Sequence, residues 1–319
     1  MADIKLEDLP VDALLQELRN RESRDANPSA RLSEELRVFG DDSIVAALIN
    51  SQKLIYGIDD RSEVFQLSPG PDLDDVDSVV ALFRAAAVSD NGDGTSTLRT
   101  VNFGAQHNLC SSERFREQPT GAFCSGFLVA PDIIATAGHC VNADNVADVR
   151  FVFGFRMRDA ETAQTVIGNR EIYRGVALIG HQLVGNGPDW ALVRLDRAVA
   201  DHRVARIRRA GRIGDRQAVH VIGHPAGLPT KFAGGAAVRD NAPAGYFVAN
   251  LDSYGGNSGS PVFNSDTHEV EGILVRGETD FVQRGTCRVS LVCPTTGCRG
   301  EDCTRAAEFA GLVPEPPTS

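Results

Sequence analysis

The sequence lacks several features that would assign it to a class at once. No uninterrupted apolar run approaches about 20 residues, the length that a membrane-spanning helix needs. The N-terminus, MADIKLEDLPVDALLQELRN, lacks the basic stretch followed by an apolar stretch that marks a signal peptide. Positive net charge is also absent, since the 319 residues carry a formal charge of -11 at pH 7. We therefore expect neither a membrane nor nucleic acid as a partner.

The negative charge is unevenly distributed. Residues 1–75 contain 17 acidic and 8 basic side chains, whereas the remaining 244 residues contain 26 and 24. This difference predicts an acidic N-terminal extension over 1–75 and a separate domain over 76–319. The extension could be a prosegment, a partner-binding arm or a structural brace.

Cysteine is plentiful for a chain without a visible export signal. The seven cysteines are typical of an oxidising compartment, which favours a secreted or periplasmic location. Their odd number leaves at least one outside any intramolecular pair. The last four, at positions 287, 293, 298 and 303, include no C-x2-C pair, and no histidine lies among them. We therefore expect no metal site in this segment.

The hydrophobic pattern changes along the chain. Apolar residues at helical spacing predict a helix over residues 5–19 and a second, interrupted one over about 30–50. Beyond residue 76, short β-branched runs alternate with turn residues, which predicts an all-β barrel or sandwich. The clearest predicted strands are Ser78–Phe83, Phe123–Ala130, Val149–Phe155, Ala191–Leu195, Ala218–Ile222, Tyr246–Leu251 and Val270–Val275.

Three local segments carry reactive side chains: TAGHC at 136–140, DWALVRL at 189–195 and GGNSGSPV at 255–262. Each alone could be structural. Together they present histidine, aspartate and serine, and a serine hydroxyl becomes a nucleophile when a histidine removes its proton and a carboxylate fixes the histidine tautomer. The glycines around Ser258 allow backbone amides to converge on one point, as an oxyanion hole requires.

These motifs resemble those of the chymotrypsin-like (trypsin-like) serine peptidases, in particular the bacterial V8-like glutamyl-endopeptidases. The resemblance covers about residues 76–290. It implies two antiparallel six-stranded β-barrels, one over about 76–205 and one over about 206–290, with the active site between them. The extension lies outside this pattern, and the peptidase domain over 76–319 ends in a cysteine-rich C-terminal segment, 287–319.

The resemblance also implies roles for individual residues. His139 would be the general base, Asp189 would orient it, and Ser258 would be the nucleophile, with Gly256 and Ser258 providing the oxyanion-hole amides. We prefer Asp189 to Asp196 because Asp189 directly precedes the apolar strand. The cysteines that match the disulfide of the histidine loop are Cys124 and Cys140.

The sequence departs from the family in ways that concern activation and specificity. Asn257 stands where the animal enzymes have an aspartate that pairs with a new N-terminal ammonium, so activation should not need that ion pair. Asp252, six residues before the nucleophile and followed by Ser253, matches the pocket aspartate of trypsin-like members and favours cleavage after Arg or Lys. An orientation of Asp252 away from the pocket is the alternative.

The strand after the nucleophile, with Leu274 and Val275, would line the substrate pocket. Leu274 occupies the position of the glutamate-binding histidine in V8-like enzymes, which argues against glutamate preference by that route. Arg276 falls where the family usually has a pocket-lining glycine. It could pair with Asp252, partly block the pocket or favour an acidic side chain.

The sequence thus predicts a serine endopeptidase acting on proteins or peptides through an acyl-enzyme. No cofactor is implied, because the nucleophile, base and oxyanion donors are all protein groups. The alternative from another class is a latent or inactive protease-fold protein that binds or regulates a partner.

Overall fold

The structure, a computed structural model, describes residues 55–315 except 58, 186, 278–280 and 295–296. Before residue 55 it describes residues 6, 11–22, 36, 38–40 and 43–44. The α-helices with described bounds are α1 (Val11–Glu22), α2 (Pro71–Val76) and α3 (Phe103–Gln106). Short 3-10 turns occur at Val64–Gln66, Ala85–Ala87, Val146–Asp148, Asn169–Glu171, Pro225–Gly227, Ala306–Glu308 and Ala310–Leu312.

Strands make up most of the described chain. The first half contains β1 (Ile55–Tyr56), β2 (Ser62–Glu63), β3 (Val79–Arg84), β4 (Val88–Asp90), β5 (Thr95–Leu98), β6 (Val101–Asn102), β7 (Pro119–Thr120), β8 (Cys124–Ala130), β9 (Ile133–Thr136), β10 (Val149–Val152) and β11 (Val166–Gly168). The second half contains β12 (Ile172–Leu183), β13 (Asp189–Leu195), β14 (Ala218–Gly223), β15 (Lys231–Asp240), β16 (Tyr246–Ala249), β17 (Pro261–Asn264), β18 (Val270–Arg276), β19 (Phe281–Arg284), β20 (Cys287–Ser290), β21 (Val292–Cys293) and β22 (Glu301–Arg305).

The first barrel is a closed antiparallel sheet of six strands in the order β10-β12-β13-β9-β8-β3. Strands β3, β8, β9 and β13 of this barrel are buried along almost their whole length, which explains their nearly continuous apolar sequences. In β3, for example, Val80 and Leu82 pack into the main core, whereas Ala81 and Phe83 pack into a second cluster outside the barrel. Successive side chains of a strand point to opposite faces of the sheet, so neighbouring residues of β3 belong to different clusters.

The second barrel joins β14-β17-β18-β22-β16-β15 and closes where β14 pairs with β15. The expected all-β fold with two six-stranded barrels is therefore confirmed. The sixth strand of this barrel, β22, lies beyond the expected boundary at residue 290. All five of its residues are buried although the sequence reads Glu-Asp-Cys-Thr-Arg, because the barrel supplies partners for the charged ones, such as Arg276 for Asp302.

Part of the expected extension belongs to the second barrel. Strand β2 pairs with the outer edge of β15, so that Glu63 stands opposite Lys231, and β1 runs parallel to β21. The expected helix over 5–19 begins at Val11 and ends at Glu22. Most of the second expected helix, over about 30–50, lies outside the described residues. No described helix is long and apolar enough to cross a membrane.

Candidate active site

The histidine and aspartate of the first two motifs are brought together by strand pairing in the first barrel. His139 follows β9, Asp189 begins β13, and these two strands are neighbours. The Nδ1 atom of His139 lies 2.8 Å from Oδ2 of Asp189, and the backbone N–H of His139 donates to Oδ1 at 3.1 Å. Both side chains are fully buried. The carboxylate therefore fixes the orientation of the imidazole ring.

The environment of Asp189 favours its ionised form. Burial would raise its pKa, but the attraction and hydrogen bonds of His139, together with the charge of Arg276, hold the pKa below its usual value. Its backbone is fixed by the second barrel, since its N–H donates to Oγ1 of Thr304 at 3.0 Å and that hydroxyl donates to its carbonyl at 3.1 Å. A stable anion beside Nδ1 is what an orienting carboxylate requires.

The second ring nitrogen of His139, Nε2, is buried and has no hydrogen-bond partner among the described residues. Since Nδ1 is held by Asp189, Nε2 is the atom left to take a proton. The serine turn is held close to the histidine segment through Ser125 on β8, whose N–H donates to the carbonyl of Ser258 at 2.8 Å. Strand β8 is in turn the hairpin partner of β9, which leads to His139.

Glycine is required at two positions of the serine turn. Gly256 has a φ of +86° and Gly259 a φ of +90°, in the left-handed region that side chains disfavour. A Cβ at Gly259 would also lie 2.0 Å from the carbonyl oxygen of Ser125. These glycines allow Ser258 to sit in a tight turn against β8. The Gly256 side of the turn borders a cleft of about 300 Å³, which Phe123 also lines.

Asn257 is held by neutral hydrogen bonds inside the turn. Its Nδ2 donates to Oγ of Ser253 at 2.9 Å, and its Oδ1 accepts from Oγ of Ser260 at 2.8 Å. All three side chains are buried. The turn is thus braced without an ammonium group, in keeping with the inference from the sequence that activation does not need the ion pair.

Asp252 contacts the N-terminal segment. Its Oδ1 accepts the N–H of Tyr56 at 2.6 Å and its Oδ2 accepts the N–H of Asp60 at 3.1 Å. Burial, with the charge of Asp252 next, raises the pKa of Asp60 to about 7. Both oxygens of the expected pocket carboxylate are therefore already engaged by backbone amides.

Arg276 does not pair with Asp252, one of the expectations for it. Its Nε lies 3.2 Å from Oδ2 of Asp302, its Nη2 donates to the carbonyl of Gly187 at 2.7 Å, and its Nη1 lies 4.0 Å from Oδ2 of Asp189. This contact between Arg276 and Asp189, which are far apart in the chain, gives no signal in the sequence. The arginine therefore lies near Oδ2 of Asp189, the oxygen that also contacts the histidine ring.

The other expected pocket residues of β18 are fully buried. Leu274 packs into the core of the second barrel and Val275 into the main core. Leu274 also fixes the serine turn, because its N–H donates to the carbonyl of Ser260 at 2.9 Å and its carbonyl accepts from Gly259 at 2.8 Å. Leu274 therefore supports the serine turn through its backbone, while the side chains of both residues lie in the core.

Disulfides hold the loops around the site. Cys124 and Cys140, the pair implied by the resemblance, are bonded and tie β8 to the histidine turn. Cys110 is bonded to Cys287, and Cys293 to Cys298. The seventh cysteine, at position 303, is buried on β22.

Comparisons with known proteins found a matching family model and similar solved structures. Residues 124–273 match the family model of the trypsin-like peptidase domain. No curated protein matches the sequence.

Three solved structures are similar to this chain. A Glu endopeptidase in complex with MPD is 15% identical, with 82% of this chain and 97% of that chain covered and a TM-score of 0.47. The VesB protease of Vibrio cholerae is 13% identical, with 81% and 67% covered and a TM-score of 0.48. An inactive mutant form of Rv3671c from M. tuberculosis H37Rv is 14% identical, with 77% and 93% covered and a TM-score of 0.42.

Proposed function

We propose that this chain, in which residues 124–273 form a trypsin-like peptidase domain, is a serine endopeptidase with His139, Asp189 and Ser258 as its triad. The observation that carries the proposal is the buried pair of His139 and Asp189, with Nε2 of the histidine left without a partner among the described residues. The glycine-rich turn that holds Ser258 against β8 supports it further.

The proposed reaction uses these groups in sequence. Nε2 of His139 takes the proton of the Ser258 hydroxyl as Oγ attacks the peptide carbonyl. The amides of Gly256 and Ser258 stabilise the resulting oxyanion, an effect worth roughly 3 kcal/mol per donor. His139 then passes its proton to the leaving amine, and a water molecule activated by the same nitrogen hydrolyses the acyl-enzyme. Asp189 keeps the ring in the required tautomer throughout.

A fluorophosphonate probe tests the proposal on the full chain. We expect the wild-type protein to be labelled at Ser258 and to cleave a mixed peptide library, whereas Ser258→Ala and His139→Ala do neither. Ser260→Ala is a matched control in the same turn, since it removes a hydroxyl that donates to Oδ1 of Asn257 and keeps the backbone hydrogen bonds of residue 260. Equal labelling of wild type and Ser258→Ala would contradict the assignment of the nucleophile.

One observation favours a second candidate, a latent form of the same enzyme. Ser258 is 0% exposed and His139 is 4% exposed, so substrate has little access to the reacting atoms. A latent enzyme should react with the probe only after limited proteolysis within the first 54 residues. N-terminal sequencing of the labelled product identifies the position of that cleavage. Immediate labelling of the intact chain would exclude latency.

The basic P1 preference implied by Asp252 receives little support from the geometry. A carboxylate that already accepts two backbone amides has less capacity to bind an arginine or lysine side chain. We expect Asp252→Ser to leave the ratio of cleavage after Arg or Lys to other residues unchanged within two-fold. A selective loss of cleavage after Arg and Lys would instead restore Asp252 as the specificity residue.

A further inference from the structure

Two histidines and two aspartates that take no part in the contacts of the candidate active site lie close together. They are Asp72 and Asp75 of α2, His220 of β14 and His268 of the turn between β17 and β18, here called the His–Asp cluster. One ligand atom from each residue lies within 4.8 Å of each of the others. The cluster joins the helix that leads into the first barrel to two elements of the second.

The distances within the cluster are close to those of a metal site. Oδ2 of Asp75 lies 3.1 Å from Nε2 of His220 and 2.6 Å from Nδ1 of His268. Ligand atoms bound tetrahedrally at about 2.1 Å lie about 3.4 Å apart. Small side-chain rotations would thus open a central position for an ion, in place of the present contacts between the imidazoles and the carboxylate.

His220 is held in the orientation that a ligand needs. It is 1% exposed and stacks against the rings of Phe232 and Phe263, each with centroids 5.1 Å away. Its other nitrogen, Nδ1, lies 3.2 Å from Oγ of Ser265. Metal-binding histidines are usually fixed by such a hydrogen bond from the second ring nitrogen, which leaves Nε2 unprotonated for the ion.

His268 adopts a backbone conformation that is uncommon among residues other than glycine. Its φ is +54°, in the left-handed region. Its N–H donates to the carbonyl of Asn264 at 2.9 Å, which closes the turn and brings the ring toward Asp75. A cleft of about 410 Å³, lined by both His268 and Asp75, gives access to this side of the cluster.

The basic side chains beside the cleft have other partners. Arg203 lies 2.5 Å from Oδ2 of Asp74, and Nη2 of Arg206 donates to the carbonyl of Thr267 at 2.6 Å. The carboxylates of Asp72 and Asp75 therefore remain to balance a dication. The other group of close candidate ligands, Cys124, Cys140 and His139, offers no thiolate because the cysteines are bonded to each other.

We propose that the His–Asp cluster binds one divalent transition-metal ion of the zinc class. Two imidazole nitrogens and two carboxylate oxygens suit Zn²⁺ or Co²⁺, whereas Ca²⁺ and Mg²⁺ prefer sets of oxygen ligands. The ion links α2 to the second barrel. Its role is structural and independent of the proposed peptidase reaction.

The test measures metal binding by the full chain after treatment with a chelator. Zn²⁺ is titrated in competition with a chromophoric chelator, and Co²⁺ is added separately to record the visible spectrum of a tetrahedral complex. We expect one equivalent to bind, a thermal shift to higher temperature, and no comparable effect of Ca²⁺. His268→Asn and Asp75→Asn should each weaken Zn²⁺ binding at least ten-fold, and Asn is chosen for position 268 because it tolerates a left-handed φ.

His202→Ala is the matched control. His202 also lies between two carboxylates, at 2.9 Å from Asp77 and 2.7 Å from Glu171, but it is outside the cluster. The His202→Ala substitution should leave the affinity for Zn²⁺ unchanged. The proposal is overturned if the wild type binds Zn²⁺ no more tightly than a folded His268→Asn variant, or if His202→Ala weakens binding as much. Neither result depends on whether Ser258 reacts with a probe.

Discussion

Replacing Lys231 by methionine tests whether the segment around residue 63 is a permanent part of the second barrel. The ammonium of Lys231 lies 3.1 Å from Oε2 of Glu63 and also donates to Gln118 at 2.9 Å and to the carbonyl of Pro229 at 2.8 Å. Both charged side chains are almost completely buried. The variant keeps the volume of the side chain but leaves the carboxylate of Glu63 in the interior without its counter-charge.

The expected loss of stability follows from this geometry. Two unit charges 3.1 Å apart interact by about 5 kcal/mol at an effective dielectric constant of about 20. Removal of one partner of a buried pair typically costs about 3–5 kcal/mol. For a protein of this size we expect the melting temperature to fall by roughly 6–15 °C. The measurement is made at pH 7, because burial lowers the pKa of Lys231 only to about 8, which leaves it mostly charged there.

Urea unfolding and calorimetry measure the effect, and two further variants interpret it. The double variant with Glu63→Gln should recover about half of the loss or more, because it removes the uncompensated charge. Arg170→Met is the control: Arg170 pairs with Glu171 at 3.0 Å but is 82% exposed, so we expect a change below about 1 kcal/mol.

The reasoning is refuted if Lys231→Met costs no more than the control. It is also refuted if proteolysis that removes residues up to 66 leaves the unfolding curve unchanged. The first result would show that the buried ion pair contributes little, and the second that the N-terminal segment is dispensable, as a removable prosegment over the whole of 1–75 requires.

Three further predictions concern the site. Asp189→Asn should lower kcat about 10⁴-fold by permitting the wrong histidine tautomer, with little change in KM; a fall of less than ten-fold in peptide cleavage would contradict its role. Replacing Cys124 and Cys140 together by alanine opens a loop with a sequence separation of 16 and should cost about 3 kcal/mol in urea unfolding, whereas an unchanged midpoint would speak against the bond. The pKa of Asp60 is raised in the folded chain to about 7 from 3.8, by burial and then by the charge of Asp252, so stability should fall as pH rises between these values. Asp60→Asn should flatten the dependence of the melting temperature on pH over this range, and an unchanged slope would exclude Asp60 as the source of that dependence.

Much of the fold could be predicted from local sequence. The strand expected over residues 270–275 is observed as Val270–Arg276, and the one over 246–251 as Tyr246–Ala249. These strands were visible because apolar and β-branched residues favour a buried strand whatever their partner is. Strand β22 was missed because Glu301–Arg305 has no such pattern. Its charged residues are accommodated where the fold supplies partners, such as Arg276 for Asp302 and the carbonyl of Ala244 for Arg305.

The sequence by itself determined those features of the candidate site that depend on a few adjacent residues. The glycines beside Ser258, the histidine turn and the aspartate that opens a strand are recognisable because turn conformation and side-chain type depend on near neighbours. Tertiary structure alone decided how distant charges are used. Asp252 accepts hydrogen bonds from amides more than 190 positions away, Arg276 lies 4.0 Å from Asp189, and two histidines meet a helix far earlier in the chain. Burial makes each such charge costly without a partner, and only the closure of the two barrels determines which partner it has.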